Sequence, residues 1–193
     1  IEIVNCNIPV SRGLGSSSSC IIAGIIGAFS IMGKDINKSE VLKYAVEIEG
    51  HPDNVCPAIY GGMVIAVMED NDPIFNEIDI KEGVSFVALI PEFKLSTEKA
   101  RSILPKEISL KDGIYNVGRT ALLVSAFANG NYNLLKYAMK DKFHQAYRSS
   151  LIEGYDKVIK ESMELGALGC FLSGAGPTIM TVVDYENKAF KSN

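Results

Sequence analysis

Pro9-Val10-Ser11-Arg12-Gly13-Leu14-Gly15-Ser16-Ser17-Ser18 sets two glycines and a serine run directly ahead of an apolar helical pattern. A loop that holds a polyphosphate needs backbone N–H groups turned towards the anion and no bulky side chains in the way. Gly13 and Gly15 supply unusual dihedrals and close approach. A helix opening at Ser16 aims its unsatisfied N–H groups and the positive end of its dipole at the same place. Serine hydroxyls add donors or metal ligands. A flexible connector between a strand and a helix would use the same residues, and the loop alone does not separate the two readings.

Working outward, residues 2–7 alternate apolar and polar as a half-buried strand does, and Pro9 closes it. From Ser16 the period becomes helical, with Ile21, Ile25, Phe29 and Met32 on one stripe and Ile22 and Ile26 beside it. First-turn serines are expected to cap this helix, and Gly33 to end it. A second helix is expected over 38–50, its apolar arc formed by Val41, Leu42, Ala45, Val46 and Ile48. The polar turn His51-Pro52-Asp53-Asn54 follows, then a short apolar segment ending in Gly61-Gly62. Strands are expected over 63–68 and 84–90, with Glu69-Asp70-Asn71-Asp72-Pro73 as a turn cluster. Further on, helices are expected over 97–104, 112–129, 132–139 and 151–165. Strands over 169–172 and 179–183 flank Ser173-Gly174-Ala175-Gly176-Pro177. Charge and glycine over 79–83 interrupt the strand pattern, which sets a domain boundary and gives domains 1–80 and 81–193.

The 193 residues are 47% hydrophobic and 22% charged, enough apolar material to bury a core. The net charge of -4, with no Lys/Arg block, argues against a nucleic-acid surface. An acidic protein still binds anions where local backbone donors converge. Cys6, Cys20, Cys56 and Cys170 are scattered and only His51 and His144 accompany them, so no zinc site is expected. Reduced thiols in a cytoplasmic protein fit that usage. The most apolar stretch, 20–32, is too short and too rich in Gly and Ser to span a bilayer. No signal peptide is visible. The chain opens at Ile1 without an initiator Met and stops inside a charged run, so it reads as a piece of something longer. The loop is not a Walker A sequence, because Gly-Lys-Ser/Thr is absent. It is not a protein-kinase loop either, because no His-Arg-Asp or Asp-Phe-Gly follows.

The Pro-x-x-x-Gly-Leu-Gly-Ser-Ser pattern beginning at Pro9 resembles the phosphate loop of the GHMP kinases, the superfamily of galactokinase, homoserine kinase, mevalonate kinase and phosphomevalonate kinase. Ser173-Gly174-Ala175-Gly176-Pro177-Thr178 resembles their glycine-rich third motif, in the right order downstream. Between them, Glu47-Ile48-Glu49-Gly50-His51-Pro52-Asp53-Asn54-Val55 resembles the homoserine kinase branch in particular. So do Ser96-Thr97-Glu98-Lys99-Ala100-Arg101 and Tyr147-Arg148-Ser149-Ser150-Leu151. The resemblance covers nearly the whole chain and lacks the family's N-terminal segment, which helps bind the amino-acid substrate.

The resemblance implies an α+β fold in two parts, an N-terminal phosphate-loop domain and a ferredoxin-like C-terminal domain, with the active site in the cleft between them. It implies ATP and Mg²⁺, L-homoserine as acceptor in threonine biosynthesis, and a homodimer as the form to test. The nucleotide would be held by Pro9, Arg12, Gly13, Leu14, Gly15, Ser16, Ser17 and Ser18, together with Ser173, Gly174, Ala175 and Gly176. Ser17 and Glu47 would hold the metal. Helical geometry at about 100° per residue puts Glu47 opposite the apolar arc and Glu49 within it, so Glu49 competes for that role.

A capped turn alone would account for His51, Asp53 and Asn54. The resemblance sets His51 and Asp53 near homoserine and Asn54 beside the attacking hydroxyl. Asp53 matches a general base of some superfamily members. Phosphoryl transfer by positioning and charge stabilisation alone is the alternative. Thr97 would lie close to the terminal phosphate. Arg101 and Arg148 would grip the substrate carboxylate with their planar forks. His144, Cys56, Tyr115 and Tyr155 read as structural or surface positions. The rival readings are a GHMP kinase for another small alcohol, and a non-catalytic nucleotide-binding protein on the same scaffold.

Overall fold

Left-handed backbone at Gly15 (φ 73°) turns the chain into α1 (Ser16–Ile31), the first element of the computed structural model, which describes residues 2, 5–188 and 190. After it come α2 (Lys38–Glu49), α3 (Val55–Tyr60), β1 (Met63–Glu69) and β2 (Asp72–Ile78). Together these form one compact unit over Gly15–Asp79. Asn37 caps α2, its side chain accepting from the N–H groups of Ser39 and Glu40. Ile22, Ile25 and Phe29 of α1 pack on Val41, Leu42, Ala45 and Val46 of α2, with Val55 and Cys56 of α3 closing the core.

The expected stripes needed rephasing. Met32 and Ile48 are exposed (57% and 63%), while Ile22 lies at the centre of α1's buried face. The first-turn serines do not cap α1: its N-cap is Gly15 and no side chain bonds there. β2 was hidden in what reads as a turn cluster. The actual turn is Asp70-Asn71, both left-handed (φ 47° and 70°), a two-residue hairpin connection. Pro73 stands opposite Met68 in a two-stranded ribbon, where a missing N–H is tolerated. The strand expected over 2–7 does not form at Glu2 or at 5–7, since alternation makes a strand only where a neighbour supplies a ladder. Ile3 and Val4 lie outside the described residues.

The second unit takes in Ser11–Leu14 and the chain from Ile80 onward. Its elements are β3 (Val84–Leu89), α4 (Thr97–Ser102), α5 (Leu110–Asn129), α6 (Leu135–Ala138), α7 (Gln145–Arg148), α8 (Tyr155–Glu164), β4 (Ala167–Leu172) and β5 (Ile179–Asp184). The strands form an antiparallel sheet in the order β3-β5-β4. Central β5 is buried along Ile179, Thr181, Val182 and Val183. Ser96 and Ser109 cap α4 and α5. α8 begins four residues later than the helical period suggests, because Gly154 (φ 75°) turns the chain at its N-cap. The short helix α7 has no expected counterpart. Helices with antiparallel strands in both units make the chain α+β.

Leu42 is 2% exposed at the α1–α2 contact. Leu42→Ala is expected to cost about 2–5 kcal/mol in urea unfolding. Ile48→Ala on the same helix should stay within about 0.5 kcal/mol of the parent.

Candidate functional site

In the first unit, the packing of α1 on α2 sets two serine hydroxyls against one carboxylate. Ser17 Oγ lies 3.5 Å from Glu49 Oε2, and Ser18 Oγ lies 3.3 Å from Glu49 Oε1. Ser18 is buried, Glu49 half-buried and Ser17 exposed. Glu47 is exposed and is not brought to the serines. With no side-chain cap, α1 presents the bare N–H groups of its first turn. A Cβ added at Gly15 would meet nothing within 4 Å, so the space before that turn is open.

Past α2, Gly50 (φ 86°) reverses the chain and donates to the Val46 carbonyl at 2.8 Å. His51 Nδ1 then pairs with Asp53 Oδ1. Asp53 and Asn54 are exposed while Pro52, Val55 and Cys56 beside them are buried, so the turn is pinned by its apolar members.

In the second unit, residues 11–14 are stitched to the loop between β4 and β5. The Ser173 hydroxyl donates to the Gly13 carbonyl at 2.7 Å, and Thr178 N–H donates to the Arg12 carbonyl at 3.3 Å. Leu95 N–H reaches the Ser11 carbonyl, and the Arg12 guanidinium the Glu92 carbonyl. Arg12 Nη1 and Thr178 Oγ1 are buried with no hydrogen-bond partner among the described residues. The 173–178 loop closes on itself through Ser173 N–H to the Thr178 carbonyl and Gly176 N–H to the Ser173 carbonyl, both 2.9 Å.

Arg148 ties that loop to α4. Its Nε donates to the Ala100 carbonyl and its Nη1 to the Gly174 carbonyl, each at 3.0 Å. Burial, with the charge of nearby Arg101 second, holds the Arg148 pKa below the usual arginine range. Thr97 and Arg101 sit four residues apart on α4, both exposed.

The group that fixes Arg148 was not singled out by motif. Asp141 accepts the N–H groups of Phe143, His144 and Gln145 at 3.1, 2.7 and 2.6 Å, and the Asn116 amide at 2.7 Å. Gln145 accepts Leu172 N–H at 2.8 Å and donates to the Met139 carbonyl at 3.1 Å, so α7 is locked to β4. An Asp whose side chain takes backbone N–H groups two to four residues ahead is the local signal that could have found this anchor. Burial pushes the Asp141 carboxyl up, but the N–H groups of His144 and Gln145, then Asn116 and Phe143, outweigh it and leave the pKa low. Burial also lowers the His144 imidazole, against Asp141 and with Arg148. His144, read as structural or surface, is half-buried with Nδ1 3.3 Å from Arg148 Nη1.

Among the described residues no helix is long and apolar enough to cross a membrane, and no group of three His, Cys, Asp or Glu side chains could hold a metal.

Two family models match, "GHMP kinases N terminal domain" over residues 1–62 and "GHMP kinases C terminal" over residues 123–191. The chain belongs to the GHMP kinase family. A homoserine kinase of Clostridium beijerinckii is 56% identical over 192 residues, which is 100% of this chain and 64% of that protein. The chain therefore spans a little under two thirds of that relative. The crystal structure of homoserine kinase from Cytophaga hutchinsonii matches with a TM-score of 0.87 at 30% identity, over 96% of this chain and 60% of that one. L. major mevalonate kinase, at 18% identity and a TM-score of 0.70 over 94% of this chain and 60% of that one, shares the fold.

Two measurements follow from this geometry. Gly15→Ala should cost about 1–2 kcal/mol, the strain of left-handed backbone with a Cβ. Gly13→Ala should cost clearly more in the same urea titration, since its Cβ would meet the Ser173 carbonyl at 2.2 Å. The lowered His144 and Asp141 pKa values work in one direction. The unfolded chain takes up each proton first, so their stabilisation is complete above the unfolded values and is lost as pH falls. Urea midpoints should drop as pH falls below about 6.5, and again below about 4. His144→Asn should flatten the first of these steps.

Proposed function

We propose that the chain is the larger part of a homoserine kinase, which transfers the γ-phosphate of ATP to the side-chain hydroxyl of L-homoserine. The observation that carries the nucleotide reading is the uncapped first turn of α1 behind the open Gly15, with Ser17 and Ser18 turned to Glu49. A helix N-terminus without a cap is an anion site. The unpartnered Arg12 Nη1 supports an anion beside residues 11–14 as well. Homoserine as acceptor rests on the 56% identity with a homoserine kinase along the whole chain.

Hydroxyl and carboxylate oxygens are the donors a small hard cation takes. At 3.3–3.5 Å the serines engage Glu49 only weakly, so the set fits Mg²⁺. We assign Glu49 with Ser17 as its protein ligands in place of Glu47, which is exposed and turned to no serine. When bound, Mg²⁺ offsets phosphate charge. The residues of the chain do the rest. First-turn N–H groups of α1 and the loop of Pro9, Arg12, Gly13, Leu14 and Gly15 hold the phosphates, as Ser173, Gly174, Ala175 and Gly176 do from the β4–β5 loop. Asn54 orients the acceptor hydroxyl and Thr97 faces the terminal phosphate. The His51–Asp53 pair contacts homoserine, and Asp53 takes the hydroxyl proton or leaves it to solvent. Arg101 meets the substrate carboxylate. Arg148, already donating to two carbonyls, lends charge and holds the loop. The three-stranded sheet under α8 supports the ferredoxin-like reading of the second unit. The four free cysteines suit a reducing cytoplasm.

Full-length protein should release ADP when given ATP and L-homoserine. Comparable turnover with mevalonate or galactose would overturn the acceptor. Glu49→Gln and Ser17→Ala should each lower kcat/KM on the order of 10²-fold, the loss of about 3 kcal/mol of charge stabilisation. Glu47→Gln should lose far less, and a larger loss there would return the metal to Glu47.

A further inference from the structure

On the β4 side of the second unit lies a cavity of about 600 Å³, within the range of small-molecule sites, and no residue assigned above to ATP or homoserine lines it. Its inner wall is apolar, with Ile159 and Met163 of α8 facing Cys170 of β4. Cys170 Sγ lies 3.8 Å from Met163 Sδ, and burial pushes its thiol up to about 11, so that wall stays uncharged.

Lys136 and Lys140 also line the cavity. Both are exposed, and neither forms an ion pair or hydrogen bond among the described residues. Lys136 rests over the Tyr137 ring, 5.1 Å from its centroid. Both ammonium groups border the same space, so an anion bound there is attracted by each. Two carboxylates line the space as well. Asp141 is taken up by the three backbone N–H groups and the Asn116 amide. Asp156 lies exposed on α8, the only carboxylate of the lining with no hydrogen bond among the described residues. The wall is built in advance, because Gln145, also in the lining, is locked to the Met139 carbonyl, Leu172 N–H and Tyr155 hydroxyl.

We propose that this cavity is a second small-molecule site, for an organic anion with an apolar body. The acid group sits between Lys136 and Lys140, and the body lies against Ile159, Met163 and Cys170. A carboxylate or a phosphate monoester offers the required chemistry. The site stands independently of the kinase reading.

The probe is 8-anilinonaphthalene-1-sulfonate, titrated by fluorescence into full-length protein in saturating Mg-ATP. One saturable site is expected. The exposed pair Lys136→Gln with Lys140→Gln should weaken it about tenfold or more, the loss of charge-assisted hydrogen bonds. Ile159→Trp, which fills the cavity, should abolish it, with circular dichroism checking the fold. The uncharged N-phenyl-1-naphthylamine should bind at least about tenfold more weakly than the sulfonate. Octanoate displacing the probe better than octyl phosphate assigns a carboxylate ligand, and the reverse order assigns a phosphate. Unchanged affinity in the double lysine variant, or equal affinity for the uncharged probe, overturns the proposal.

Discussion

Between the Cα of Gly13 and the carbonyl of Ser173 there is no room for a methyl group, since a Cβ there would sit 2.2 Å from the oxygen. That close approach lets the Gly13 carbonyl take the Ser173 hydroxyl and the Arg12 carbonyl take Thr178 N–H. Residues 11–14 thereby join the second unit, although the chain on either side of them belongs with the first. The two glycines of the opening loop do different work. Gly13 permits contact between backbones; Gly15 makes a left-handed turn into α1 with open space around it. Filling the first breaks a contact. Filling the second strains a left-handed turn.

The third glycine loop is held from behind by a chain of groups that no family motif contains as a set. Asp141 gathers three consecutive N–H groups and so sets the start of α7; α7 carries Arg148; Arg148 donates to Gly174 and Ala100. Each link is a charged group satisfied by neutral dipoles, the arrangement that makes a partly buried charge tolerable. Arg148 is therefore as much a structural tie as a candidate for substrate. Two of its nitrogens, Nε and Nη1, are engaged in that tie.

Element by element, legibility followed how local the cause was. α1 and α2 were readable because a helix period needs only its own residues, and Gly33 marks the end of α1 within a turn. β2 was hidden because Pro73 reads as a breaker unless its strand is known to lie in a two-stranded ribbon. α7 is one turn long and is nucleated by a side chain outside it, so no period could announce it. Glu49 was legible in part: the helix period placed it on the apolar side, but nothing local said what it met there.

By itself, then, the order of residues determined that a glycine-serine loop opens α1, that α2 presents one apolar arc, and that two glycine motifs resemble those of GHMP kinases. These follow from dihedral preference and short-range period, which act within a few residues. Only the tertiary structure decided that Glu49 rather than Glu47 meets Ser17 and Ser18, that Gly13 touches the Ser173 loop, and that Arg148 donates to two carbonyls. Those outcomes depend on how one packed surface registers against another, with partners 26 to 160 residues apart in the chain. No local preference carries that information.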